Sequence, residues 1–156
     1  SIHSFPTRRS SDLSDKPYES ATTLKIIGNT FIVNMVEMLA EGHVLAEKSG
    51  LGSEALHKFI EAIFPGVYSG YSNRMMSGVY YTREEPLFAV DLARKDARHA
   101  MDLAKVAGTR LENVETADRH LVKVKEHSGE KGDMAAIYGV VREEAGLPFE
   151  NQKKGE

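Results

Sequence analysis

Lys25 and Asn29 stand four residues apart in an apolar stretch with helical periodicity, so both side chains leave the same helix face. A lysine among Leu24, Ile26 and Ile27, early in a buried helix, is pushed toward its neutral form by desolvation and by the positive end of the helix dipole. Those conditions suit a general acid or base near neutral pH. An amide one turn further on can orient a substrate oxygen or the amine itself. On spacing alone, a lysine snorkelling at a helix edge is the commoner arrangement. A second set, Phe88, Leu92, Lys95 and His99, falls on one stripe of a later helix at i, i+4, i+7 and i+11, flanked by Asp91 and Asp96. A cation in such a stripe could meet a phosphate, a carboxylate or a polarised ring. The competing reading is a salt-bridged surface, because Arg94, Lys95, Asp96, Arg98 and Asp102 form a dense charge run.

Other chemistries are excluded by what the chain lacks. It contains no cysteine, which removes disulfides, thiolate metal sites and cysteine nucleophiles. The six histidines show no metal-ligand spacing and no HExxH, so no metal site is expected. GxSxG, GxGxxG and Walker loops are absent, and the chain has no nucleotide cradle of its own. A formal charge of −3 with no basic block argues against nucleic acid as partner. No uninterrupted apolar run reaches the roughly 20 residues of a membrane helix, so no membrane association is expected. The 156 residues, 41% hydrophobic and 28% charged, suit one globular domain with a core.

The elements that must position these residues read as helices throughout. A long helix is predicted from Ser20, as N-cap, to Ser49 before Gly50. Its apolar residues lie almost all round it, which implies burial by the domain or by a partner. Gly28 and Gly42 are expected at close helix–helix approaches. A second helix starts at Ser53 and ends at Pro65-Gly66. The glycine- and tyrosine-rich segment Val67 to Tyr81 resists assignment between helix and loop. Glu84-Glu85-Pro86 opens a helix over Leu87 to Ala107, Asn113 caps one through His127, and Asp133 caps a last one through Ala145. The tail from Glu150 is expected to fray. The fold class predicted is all-α, a helical bundle with one long central helix. His3 to Leu13 (HSFPTRRSSDL) coincides with the translation of one frame of a common sequencing adapter. Residues 1–13 are therefore expected to be a non-native leader, 14–19 a linker, 20–147 the domain and 148–156 a polar tail, with a native N-terminal region lost.

Several segments, taken in order, resemble the C-terminal domain of the β-hydroxyacid dehydrogenases. This is the 3-hydroxyisobutyrate dehydrogenase-like group of the 6-phosphogluconate dehydrogenase superfamily. They are LKIIGN at Leu24 to Asn29, MVEMLAEG at Met35 to Gly42, the helix break at Ser49 to Leu51, FAVDLARKD at Phe88 to Asp96, and DMAAIY at Asp133 to Tyr138. The resemblance implies that Lys25 matches the catalytic lysine and Asn29 the substrate-orienting asparagine. It implies that Lys95 contacts the cofactor, NAD or NADP, with Phe88 and Asp96 in support. The implied reaction is hydride transfer between the nicotinamide and a small-molecule 3-hydroxy acid or its semialdehyde. The implied partner is a second copy of the chain, a homodimer through the helical domain. A cytoplasmic placement is expected, with the mitochondrion as alternative. Two positions depart from the family pattern: Glu19-Ser20-Ala21 replaces the usual glycines before the lysine, and Gly28 replaces the first of two asparagines after it. Without a Rossmann domain, the isolated chain is expected to be inactive. The alternative is a non-catalytic dimerisation module of the same fold.

Overall fold

The structure, a computed structural model, describes residues 17–152. The expected leader, the start of the linker and the last four residues of the tail lie outside the described residues. Seven α-helices follow one another: α1 Pro17–Lys48, α2 Ser53–Ile63, α3 Val67–Met76, α4 Val79–Thr82, α5 Val90–Ala107, α6 Glu112–Ser128 and α7 Ile137–Glu144. Two 3-10 turns, Gly129–Lys131 and Met134–Ala136, join α6 to α7. Among the described residues there is no strand, only an isolated antiparallel bridge between Ala89 and Asp133. The all-α bundle around one long helix is as expected.

α1 is the axis. From Thr30 onward it buries Val33, Val36, Leu39, Ala40 and Val44 against α5, α6, α7 and the second 3-10 turn. Leu121 and Val124 of α6, with Ile137 and Tyr138 of α7, complete the core. α5 carries Ala93, Ala97, Ala100 and Ala104, all buried, at helical spacing. Small side chains there let its axis lie close to its neighbours α1 and α6. Arg142, buried on α7, is paired with Glu47 at the end of α1 and donates to the Pro148 carbonyl at 2.8 Å.

Several expectations are corrected. Ser20 lies inside α1, which already runs from Pro17. The helix is not buried all round: Leu24 and Phe31 are each 72% exposed, so its first turns project from the bundle. Gly28 has nothing within 4 Å of a notional Cβ, and Gly42 would meet only Leu56, at 3.5 Å; neither marks a close approach. Val67–Thr82 is two helices, each entered through a left-handed glycine, Gly66 at φ 84° and Gly78 at φ 79°. α5 starts at Val90, not Leu87, because the Leu87 and Phe88 N–H groups are engaged by the Asp133 carboxylate and hold the chain extended. Asn113 lies within the first turn of α6, whose cap position is Leu111.

Asp133 caps the 3-10 turn Met134–Ala136 and not α7 itself, its Oδ1 accepting from Ala135 N at 2.9 Å; α7 starts at Ile137, with Ala136 at its cap position. The tail is fastened as far as Gln152. Tyr80 Oη donates to the Phe149 carbonyl and accepts from Asn151 N, and the Asn151 amide donates to the carbonyls of Met75 and Met76. By length and mean hydropathy alone α1 would also pass as a membrane span, and 39% of the relevant stretch is buried within the bundle.

Candidate functional site

Where α1 emerges from the bundle it crosses α5, and a small pocket opens between them. Its lining includes Asn29, Thr30 and Val33 of α1, Ala93, Asp96 and Ala97 of α5, and Phe88 and Met134 from the segments ahead of α5 and α7. The space, about 30 Å³, admits a water-sized group and not an aromatic ring. Three of the five residues singled out from sequence meet here: Asn29, Phe88 and Asp96. Asn29 Nδ2 donates to Asp96 Oδ2 at a long 3.4 Å. Beside it the Thr30 hydroxyl donates back to the Ile27 carbonyl at 2.6 Å, within the same turn of α1.

The two lysines stand outside. Lys25 is exposed, one turn before Asn29 on the projecting part of α1. The desolvation expected of it is therefore not supplied by the described residues. Lys95 is exposed next to Asp96, and Leu92 and His99 are exposed as well. Phe88 precedes the helix, so the expected four-residue stripe is an open face of α5 that begins at Leu92. The charge run around it divides. Arg94 Nε bonds Asp118 at 3.2 Å and Asp91 bonds Lys125 at 2.7 Å, both across to α6. Among the described residues neither Lys25 nor Lys95 is in an ion pair.

Sequence reasoning missed two side-chain networks. Ser72 Oγ, fully buried, lies 2.7 Å from both His43 Nε2 and His57 Nδ1, and His57 Nε2 lies 3.2 Å from Glu61. With one hydroxyl proton, Ser72 donates to one ring and accepts from the other. Burial, reinforced by His57, pushes the His43 imidazole down to about 4. On the opposite side of α1, His120 Nδ1 lies 2.5 Å from Glu37, and its Nε2 lies 3.2 Å from Glu144. The hydrogen bond to Glu37 outweighs burial and raises the His120 imidazole. Each contact joins residues from different helices or a single i, i+4 step, and nothing in the spacing of the histidines announces them. Among the described residues no three His, Asp or Glu side chains converge as a metal would require.

Comparison with known proteins agrees with this architecture. A solved 3-hydroxyisobutyrate dehydrogenase from Salmonella typhimurium shares the fold at a TM-score of 0.66 and 22% identity, over 76% of this chain and 41% of that one. The 3-hydroxyisobutyrate dehydrogenase of Mycobacterium tuberculosis, solved with L-serine, shares it at 0.63 and 24% identity, over 76% and 42%. In sequence the chain is 37% identical over 131 residues to the NADH-dependent oxidoreductase ucdB of Aspergillus ustus. That alignment covers 83% of this chain and 46% of the relative, so the chain spans less than half of the curated protein it matches. Residues 20–141 match the family described as the NAD-binding domain of NADP-dependent 3-hydroxyisobutyrate dehydrogenase. The chain, a bundle built on α1 with a pocket where α1 crosses α5, belongs to that family of NAD(P)-dependent oxidoreductases.

Proposed function

We propose that the chain supplies the helical half of a dehydrogenase site acting on a 3-hydroxy acid or its semialdehyde, completed by a separate nucleotide-binding domain. The observation that carries this reading is the convergence of Asn29, Phe88 and Asp96 on one pocket, with Lys25 one turn away on a projecting helix. The pocket is too small to enclose a nicotinamide, and no glycine-rich phosphate cradle is present. The fit is therefore to one edge of the cofactor, with Lys95 and Phe88 as the contacting residues. Bound NAD(P) supplies the hydride acceptor or donor. Lys25 holds or releases the proton on the substrate oxygen. Asn29, tethered to Asp96, orients that oxygen. A further domain docked on the exposed Leu24, Ile27 and Phe31 would also desolvate Lys25, which the bundle alone does not do.

In the complete enzyme, Lys25→Ala should lower kcat by about 10²–10⁴-fold, the usual range for a general acid–base group, with KM little changed. Lys95→Ala should instead raise KM for the cofactor. The isolated chain should oxidise no NADH when offered a semialdehyde acid. Near-normal turnover in Lys25→Ala would defeat the assignment. A second reading, a non-catalytic dimerisation module, is favoured by one feature: Leu24, Phe31, Met38 and Leu45 recur every seven residues along α1 and are all exposed. Retention of the fold and of self-association by a complete protein without activity would select it.

A further inference from the structure

Asp133 is 4% exposed, and all three hydrogen bonds of its carboxylate come from backbone N–H groups. Oδ1 takes Ala135 N, which is the ordinary cap of the turn leading into α7. Oδ2 faces the other way and takes Leu87 N at 2.7 Å and Phe88 N at 3.3 Å, some 46 residues back in the chain. Two backbone bonds extend the join: Met134 N to the Phe88 carbonyl and Val90 N to the Gly132 carbonyl, each 2.8 Å. The segments approach so closely that a Cβ at Gly132 would sit 2.9 Å from Val90 Cγ1 and 3.0 Å from Val124 Cγ1. Phe88 and Met134, on opposite sides of this join, both line the pocket. Phe88 is only half-buried and packs against the edge of the core, and the pinned backbone sets where its side chain leaves the chain.

We propose that Asp133 is a positioning residue for the pocket. It sets where Phe88 stands opposite Asn29 and Asp96, and hence how wide the pocket opens to the edge of a substrate or cofactor. The functional meaning of that width rests on the dehydrogenase reading above; the positioning itself does not. Capping and pinning use different oxygens, and the substitution Asp133→Asn separates them. The side-chain carbonyl of the variant can still accept from Ala135 N, because asparagine caps as well as aspartate. The amide NH₂ would then face the Leu87 and Phe88 N–H donors and could accept from neither.

The test is amide hydrogen exchange with aromatic NOE measurement on this chain and its Asp133→Asn variant. In the unsubstituted chain, the Leu87 and Phe88 amides should exchange as slowly as the Ala135 amide, with NOEs from the Phe88 ring to the Met134 and Ala97 methyl groups. In Asp133→Asn, the Leu87 and Phe88 amides should exchange about tenfold faster or more, as for the loss of one modest hydrogen bond. The Phe88 NOEs should weaken, while Ala135 protection and the Tyr80–Tyr138 ring NOEs persist. Unchanged Phe88 NOEs and protection in the variant would overturn the proposal. So would a parallel loss of Ala135 protection, which would reduce Asp133 to a cap. If the variant does not fold, the unsubstituted chain decides: rapid exchange at Leu87 and Phe88 beside a slow Ala135 amide overturns the pin. None of these readouts involves a cofactor, so failure of the Lys25 assignment would leave them unmoved.

Discussion

His43 and His120 lie on opposite sides of the same helix system and titrate in opposite senses. His43 is fully buried against Ser72, with His57 beyond it and the Tyr138 ring 6.0 Å away, and burial holds it neutral down to about 4. In the unfolded chain it takes a proton near 6.5, so between those values the unfolded state binds more protons. Its contribution is fully present above pH 6.5 and is lost as pH falls toward 4, a decline of roughly 3 kcal/mol. His120, between Glu37 and Glu144, has the opposite sign. Its raised value favours the charged form in the folded state, first through the hydrogen bond to Glu37. Its contribution is fully present below pH 6.5 and is lost as pH rises through the raised value. Urea midpoints followed against pH should show both limbs. His43→Gln should flatten the acid limb and His120→Gln the neutral-to-alkaline limb. An acid limb unchanged in His43→Gln would mean that another group governs it. At this scale spacing and resemblance singled out Asn29, Phe88 and Asp96, which the structure brings to one pocket, and Lys25 and Lys95, which it leaves exposed outside it. Exposure was not legible, because whether Lys25 is buried depends on which turns of α1 the bundle covers.

The helices that could be read in advance are those whose signals are local. α2, α6 and the end of α5 follow apolar periodicity and stop at Pro65-Gly66, Ser128-Gly129 and Gly108. Two elements escaped for opposite reasons. α3 and α4 are short, and the glycines that enter them are the same residues that signal loops. Glu84-Glu85-Pro86 carries a strong helix-start signature, yet the helix waits until Val90 because a carboxylate 46 residues away claims the intervening N–H groups. The C-terminal segment was misread for a similar reason: Phe149 seats on Gly139 of α7 with its ring parallel to His127, centroids 3.7 Å apart. A Cβ at Gly139 would fall 2.6 Å from that ring, which is buried and stacked on His127. Gly139→Ala should therefore cost about 1–3 kcal/mol, the range for overpacking a core, and release the tail. Combining it with Phe149→Ala, which removes the clashing ring, should give a loss smaller than the sum of the two single changes. Strict additivity in urea denaturation would show that the close approach is not the cause.

Across the whole molecule, the feature that a single bundle leaves unexplained is the outer face of α1. Leu24, Phe31, Met38 and Leu45 are between 53% and 72% exposed, and the heptad they mark extends about 32 Å along the helix. Sequence patterning read this helix as apolar almost all round, buried by the domain or by a partner; the bundle itself accounts only for the opposite face. A second copy laid along this stripe would set the same patch against itself, as a two-fold interface requires. The stripe also overlaps the projecting turns that carry Lys25, so an added nucleotide-binding domain and a second copy would have to divide it. The central positions Phe31 and Met38 decide between them. Sedimentation of these 156 residues alone should show a dimer that Phe31→Asp with Met38→Asp converts to monomer. Because both side chains are exposed, the thermal midpoint of the monomeric variant should fall by no more than the lost association accounts for. A chain that sediments as a monomer before any substitution, at concentrations well above micromolar, would assign the stripe to another domain rather than to a copy of itself.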